Sequence, residues 1–484
     1  MGSRLSESGF TLRIGFHRMV ERIRSAKTVY RQFKSFLILA FVALAIFQTG
    51  QLWFVNLANR NFFLYLTDRW RPSVAEGYRE FVRPMRLVYG DGTGRFDISY
   101  RDLMDAPPRT YFDAVLSELF ASGSFVGVSN TDYARLLSRP VLMFEYAFEM
   151  PGNIFPLGFN QRTGGFLAGR GVDYFTAVVI WMPYGDDSGH RVFFVSDDVT
   201  WEFSLSIGAV EGLPVTPVST TGLYFVSAVL EGHDILPPNA FIPRSGDLGR
   251  FAYYRVTVVN PYISPAGRNI NFVLNQVSSF FDNPATINAR PAGDGVWTFS
   301  NIHTTVRYFD TDVLEYASFR PRRTNVSSGL MGDFSAALAF IEADDNVINE
   351  TFLKGFEPRG DGYVFWFGYI VSDFPVLLPD GWRVSSTDDI LRAPIEVVVS
   401  QRRVVLYRRL AHNFTLDGGY SWMMGMDFDI DEFIRRRAGQ DGLDEPIAGL
   451  SLGYRVGHHL RPDTNLVLDW LYHVSESEEP AEDK

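Results

Sequence analysis

Polar and hydrophobic positions interleave along most of this chain, and one run breaks the pattern. From Phe36 to Leu57 (FLILAFVALAIFQTGQLWFVNL) no residue is charged, and the stretch Phe36 to Phe47 has no polar side chain. A helix of this length, at ~1.5 Å per residue, spans roughly 33 Å, enough to cross a bilayer core of about 30 Å. The Phe, Leu, Ile and Val residues of its first half favour insertion by roughly 3 to 5 kcal/mol together. The stretch predicts a retained signal-anchor helix over 35–57. Two other readings stand beside it. A cleaved signal peptide is suggested by Ala43-Leu44-Ala45 but opposed by the long segment before the run. A buried soluble helix is opposed by the missing polar stripe before Gln48.

Downstream, the periods are shorter. Met85 to Tyr100 reads as a hairpin, with Gly90-Asp91-Gly92-Thr93-Gly94 as its turn. Pro107-Pro108 precedes an amphipathic helix that presents Tyr111, Phe112, Val115, Leu116 and Leu119 on one face. Asn130 or Thr131 is the expected cap of a short helix ending at Leu137. Strands are expected over 141–148, 174–182, 191–195, 201–206 and 223–230, with a long loop at 151–171. Proline and glycine at 237–249 mark a boundary. Beyond it the pattern gives a strand at 252–259 and a helix at 269–281. Strands at 296–299 and 304–308 come next, then a linker at 320–329 and a helix from a capping Asp333 to Ile341. Aromatic strands at 362–378, a hairpin across Ser400-Gln401-Arg402, a short helix at 431–437 and strands at 449–456 and 465–472 complete the chain. Helix followed by strands occurs twice, from Asn269 and from Asp333, which suggests two related units. The expected fold class is α+β: a single N-terminal transmembrane helix followed by a β-rich, multi-domain extracytoplasmic region. The divisions are a basic cytoplasmic segment 1–34, the anchor 35–57, α+β domains at 58–240, 241–325 and 326–474, and an acidic tail 475–484.

Charge sets the orientation. Residues 1–34 carry eight Lys or Arg against Glu7 and Glu21, a net of +6, which leaves −17 for the rest of a chain whose total is −11. Positive flanks stay inside, so the expected localisation is a single-pass cell-membrane protein with a cytoplasmic N-terminus and an extracytoplasmic body. Lys34 and Trp53 are the expected interfacial anchors in the lipid bilayer. Gln48, Thr49, Gly50 and Gln51 interrupt the apolar run. Either they sit within the membrane and hydrogen-bond to a partner helix, or they already lie at the outer interface.

Composition narrows the chemistry. The chain has no cysteine, which removes disulfides, thiol catalysis and thiolate-held metals. The acidic outer region argues against a nucleic-acid partner. His458-His459 is the one close histidine pair, and neighbours on a strand face opposite sides, so no metal site is expected there. Asp427, Asp429 and Asp431 open like a calcium loop, but Glu432 stands where that loop needs Gly and Ala438 where it needs Glu. The acid pairs Asp186-Asp187, Asp197-Asp198, Asp344-Asp345 and Asp388-Asp389 fall in loops or at helix ends. No nucleophile elbow or nucleotide fingerprint is read. Catalytic, cofactor and metal residues are therefore expected to be none, and the protein is expected not to be an enzyme.

The basic N-terminus, the helix ending in Gln-Thr-Gly-Gln-Leu-Trp, and the outer stretches FEYAFEMP (Phe144 to Pro151), FVLNQVSSFFDNP (Phe272 to Pro284), GVWTF from Gly295 and VRYFDTDVLEY ending at Tyr316 resemble the YycH-type regulatory proteins of low-GC Gram-positive bacteria. That resemblance implies a non-enzymatic accessory role. Such proteins pair with a YycI-like single-helix protein and modulate a WalK-type sensor histidine kinase of a two-component system controlling cell-wall homeostasis, with contact through membrane helices and ectodomains. The alternative is a membrane-anchored cell-envelope hydrolase or polysaccharide-binding protein.

Overall fold

The computed structural model describes Phe41 and residues 74–474, except 100–106, 160–164, 183–188, 206–222, 234–235, 246–249, 265, 294, 321–328, 372–373, 379–381, 385–388, 425–446, 458–463 and 467. The chain divides into two compact units. The first, Met1–Asp68 with Asp282–Ala285, lies almost wholly outside the described residues, and with it the expected anchor, Lys34, Gln48, Thr49, Gly50, Gln51 and Trp53. No helix among the described residues is long and apolar enough to cross a membrane. The second unit, Arg69–Phe281 with Thr286–Lys484, holds all the sheets found among the described residues.

Its first half is a nine-stranded antiparallel sheet built from β1 (Arg86–Asp91), β2 (Phe96–Ser99), β3 (Ser124–Asn130), β4 (Pro140–Pro151), β5 (Tyr174–Trp181), β6 (His190–Val195), β7 (Val199–Leu205), β8 (Leu223–Ser227) and β9 (Phe241–Ser245). The spatial order is β3-β7-β6-β5-β4-β1-β2-β8-β9. β10 (Arg250–Val259) joins β20 (Asn413–Met424) and β22 (Asn465–Leu466) in a three-stranded sheet. The second half is an eleven-stranded sheet. Its strands are β11 (Asn288–Pro291), β12 (Trp297–Ser300), β13 (Thr304–Tyr308), β14 (Val313–Ser318), β15 (Glu350–Arg359), β16 (Gly362–Val371), β17 (Phe374–Leu377), β18 (Ile395–Ser400), β19 (Arg403–Leu410), β21 (Ile447–Arg455) and β23 (Leu468–Val474). The architecture is thus β-rich α+β with several sheets, as expected.

Each large sheet is covered by a helix whose apolar face the sequence pattern marks or a short motif positions. On α2 (Pro107–Ser122), Tyr111, Phe112, Val115, Leu116 and Leu119 are all buried, and Phe112 stacks on Phe144 of β4 at 3.7 Å between ring centroids. α5 (Leu330–Glu342) lies on the second sheet, with Phe334 against Phe365 at 5.5 Å and Phe340 against Tyr407 at 5.1 Å. α4 (Ile270–Val277) is capped by Asn269, whose side chain accepts from the backbone of Asn271 and Phe272.

The halves meet on an aromatic seam. Phe81, the last residue of α1 (Val74–Phe81), is fully buried and meets Phe148 of β4 at 5.7 Å, Phe334 of α5 at 5.0 Å and Phe356 of β15 at 5.5 Å. A buried Phe of this kind is worth about 3 to 5 kcal/mol against truncation. Gly77 lets α1 approach α5: a Cβ there would come within 2.4 Å of Ser335 Oγ. Arg83 pairs with Glu350 beside the seam.

Several expectations are corrected. α3 (Tyr133–Leu136) is capped by Asp132, which accepts from Arg135 N at 3.0 Å, whereas Asn130 ends β3 and Thr131 bonds Ser196 O. Asp333 is not a cap: Gly329 holds that position, and Asp333 sits inside the first turn of α5, accepting from Arg402 N at 2.7 Å. That bond steadies the two-residue turn between β18 and β19, where Gln401 and Arg402 adopt φ of +53° and +58°. The strand expected to reach residue 230 ends at Ser227 in a short helical turn, Ala228–Glu231. The punctuated stretch 237–249 contains β9, paired with β8. The expected loop 151–171 holds a 3-10 turn at Phe155–Phe159 and a short helix at Gly165–Ala168. The expected helix 431–437 lies outside the described residues.

Candidate ligand cleft and the polar core behind it

A cleft of about 530 Å³ opens where the ends of β4 and β5 meet the edge strand β15. Phe148, Glu149 and Tyr174 line it from the first sheet. Lys354, Gly355, Phe356, Trp366 and Arg392 line it from the second. The cleft exists because β15 is bulged: its register to β16 shifts between Leu353 and Gly355, which places Lys354 out of step and Gly355 opposite Trp366. Gly355 places no side chain on the indole from β15: the nearest atom a Cβ there would meet is Trp366 Cε3 at 3.4 Å. Two groups fix the indole. Its Nε1–H donates to Glu396 Oε2 at 3.2 Å, across the β16–β18 register, and the Arg392 guanidinium lies 5.4 Å from the ring centroid. Arg392 also stands 3.7 Å from Glu357. Tyr174 remains 53% exposed, so an aromatic face is in solvent at the mouth.

Behind β16 and β19 the core is polar. Arg409 and Asp344 are both fully buried, with Nε 2.9 Å from Oδ2. Arg409 Nη2 donates to Tyr262 Oη at 2.9 Å, and Tyr407 Oη donates to Asp344 Oδ2 at 3.0 Å. Burial pushes the Tyr369 phenol up to about 12 and the Tyr262 and Tyr407 phenols higher still, so all three stay neutral. Burial alone would lower Arg409, but Asp344 together with Tyr262, Tyr407 and Tyr369 more than offsets it and keeps the guanidinium charged.

Asp312 anchors a second cluster. It sits in the left-handed region at φ +58° and accepts from Tyr308 Oη at 2.7 Å and Arg268 Nη2 at 2.8 Å, with His412 Nε2 at 3.4 Å. Burial raises its carboxyl, yet His412, Tyr308 and Arg268 together hold it below the ordinary 3.8. A depressed folded pKa contributes stability that is complete above the unfolded value and is lost as pH falls through the folded one. Asp312→Asn tolerates the same backbone and is expected to flatten the acid limb of a stability profile below about pH 4, measured by urea denaturation at stepped pH. An unchanged acid limb would contradict the assignment.

The residues singled out by sequence fall differently. Asp344 is an ion-pair partner of Arg409, and Asp389 accepts from Arg408 Nη2 at 2.6 Å, so neither belongs to a carboxylate dyad. Asp197 and Asp198 lie in the β6–β7 turn. His190 hydrogen-bonds Tyr111 Oη at 2.6 Å, and burial lowers its pKa. Asp186, Asp187, Asp388, Asp427, Asp429, Asp431, His458 and His459 lie outside the described residues. Among the described residues no three His, Asp or Glu side chains gather as a metal-binding group. One G-x-S-x-G spacing does occur, Gly449 to Gly453, contrary to the sequence reading of no such elbow. It runs through the middle of β21, with Ser451 opposite Leu471 of β23, and so lacks the strand-to-helix turn the nucleophile elbow needs. The cleft itself escaped the sequence reading. Its one legible signal was a lone glycine, Gly355, in the strand-like run ETFLKGFEPR.

Comparison with known protein families, characterised proteins and solved structures gives no match to this chain.

Proposed function

We propose that this chain is a membrane-anchored extracytoplasmic accessory protein that regulates a sensor histidine kinase governing cell-wall homeostasis. The observation that carries the reading is the uncharged stretch Phe36 to Leu57, set between a +6 flank and a −17 remainder. The resemblance of its flanks and of the aromatic outer motifs to YycH-type regulators supplies the partners: a WalK-type kinase and a YycI-like single-helix protein. The body is compatible with the role: two large sheets joined on a packed aromatic seam present a broad folded surface for protein contact. Gln48, Thr49, Gly50 and Gln51 are the proposed partner-facing positions, each hydrogen bond worth about 0.6 kcal/mol in a bilayer.

Replacing Phe36 to Leu57 with an unrelated apolar helix tests this. Kinase output, read from a reporter gene under the response regulator, is expected to fall to that of a strain lacking the protein, while the chain still fractionates with membranes. Unchanged output would remove the helix from the mechanism. Cleavage of cell-wall material by the purified protein would favour an anchored hydrolase instead.

A further inference from the structure

We infer that the outer edge of the first large sheet, strand β3, is where a second copy of this chain pairs in antiparallel fashion. β3 (SFVGVSN) ends the strand order, and among the described residues β7 is its one ladder partner. Its far side therefore presents backbone N–H and C=O groups to solvent. Phe125, Val126 and Val128 are 40%, 50% and 56% exposed. Such an edge invites pairing, and proteins guard edges with charge, proline or shortness. Every other edge of the described sheets is guarded in this way. β9 carries Pro243 and Arg244, and β11 carries Arg290 and Pro291. β15 carries Lys354, Glu357 and Pro358, β20 carries Asp417, β23 carries Asp469, and β22 is two residues long. β3 has no charge and no proline. Its one irregularity is a bulge, where the register to β7 shifts between Phe125 and Gly127. From Gly127 to Asn130 the register runs unbroken, and Phe125, packed on Phe203 at 5.3 Å, holds the strand to the sheet.

Geometry and charge select a copy of the same chain. An antiparallel pair of identical strands has a two-fold axis, so β3 meets itself with each residue pair repeated. With the axis at Val128, valine faces valine and each Gly127 faces the other copy's Ser129, a β-branched contact flanked by small residues. Two outer regions of −17 repel each other, but this strand adds no like charge. Glu202 behind it is already paired, with Arg191 at 2.7 Å and Arg135 at 3.1 Å. One strand pair is small beside the roughly 800 Å² per partner of a standard interface, so the association depends on concentration. The proposed anchor supplies it. The anchor ends at Leu57 and α1 begins at Val74, so at most about 60 Å of chain separates each body from its bilayer. Copies in one membrane share that thin layer, which raises their effective concentration. This last step rests on the proposed anchoring; the unguarded edge does not.

The chain has no cysteine, so a single introduced one reports a single position. With a short bis-maleimide on membranes holding the full-length chain, Val128→Cys is expected to give a covalent dimer. Ile302→Cys, 88% exposed in the β12–β13 turn of the other large sheet, is expected to stay monomeric. A charge at the axis should part the strands. In Ser129→Cys/Val128→Lys the dimer yield is expected to fall about fivefold below that of Ser129→Cys alone, the effect of like charges set opposite one another. The lysine replaces a half-exposed side chain, so an unchanged circular dichroism spectrum is expected. Equal dimer from Val128→Cys and Ile302→Cys, no dimer from Val128→Cys, or a lysine without effect would overturn the inference. A crosslinked product of other than dimer mass would assign the edge to a different chain and overturn it too. Repeating the crosslink on the concentrated, detergent-purified chain separates edge from anchor. A dimer there, with the body found inside the cell, would keep the edge and discard the anchor; a monomer there and in membranes would discard the edge alone.

Discussion

Asp344→Leu is expected to cost about 3 to 5 kcal/mol of folding stability, because it strands the Arg409 charge in a site with no access to water. Both side chains are fully buried, and among the described residues the charged partner of the guanidinium is Asp344 at 2.9 Å, with Tyr262 Oη and the Leu410 carbonyl as neutral ones. Leucine is bulkier than aspartate, so no cavity opens; the loss combines the stranded charge, the Tyr407 hydroxyl left without its acceptor, and some overpacking. Removing both charges together gives the opposite expectation. In Asp344→Leu/Arg409→Met no ion remains to be desolvated, and buried pairs replaced by apolar groups of similar size are often neutral or better. The double variant should therefore recover most of the single variant's loss. Urea denaturation of wild type, both single variants and the double gives the coupling directly. Additive losses, or a single-variant cost below about 1 kcal/mol, would show that the pair is not the centre of this core.

Local pattern made part of this architecture legible. The apolar spacing of Tyr111, Phe112, Val115, Leu116 and Leu119 identified the face of α2 that is buried. Asn269 marked the start of α4 through a cap that is formed, and Ser400-Gln401-Arg402 marked the β18–β19 turn. What escaped depends on contacts distant in the chain. β3 reads as SFVGVSN, polar and glycine-bearing, and becomes a strand because β7 pairs with it some 70 residues on. β15 was hidden by its own bulge, and β9 by Pro243. Asp333 looked like a cap because its type favours caps, but it accepts from the N–H of Arg402 in the distant β18–β19 turn. The cleft obeys the same rule. Its lining is drawn from 148–149, 174, 354–356, 366 and 392, with its two sides some 180 residues or more apart in the chain.

The second large effect concerns the anchor. On the proposed reading, the +6 flank ahead of an uncharged helix-length stretch is expected to set the orientation, since carrying that many positive charges outward opposes the rule that keeps lysine and arginine inside. The absence of cysteine means the body folds without disulfides, through packing such as the Phe81 seam. Kinase contact through the ectodomain, as proposed, requires the body to stand outside the cytoplasmic membrane. The most direct test is a reporter enzyme that is active only outside the cytoplasm, fused after residue 100 of the intact N-terminal sequence and assayed in whole cells. An active fusion is expected. A silent one, with the matching cytoplasm-active reporter switched on at the same position, would contradict the outward orientation.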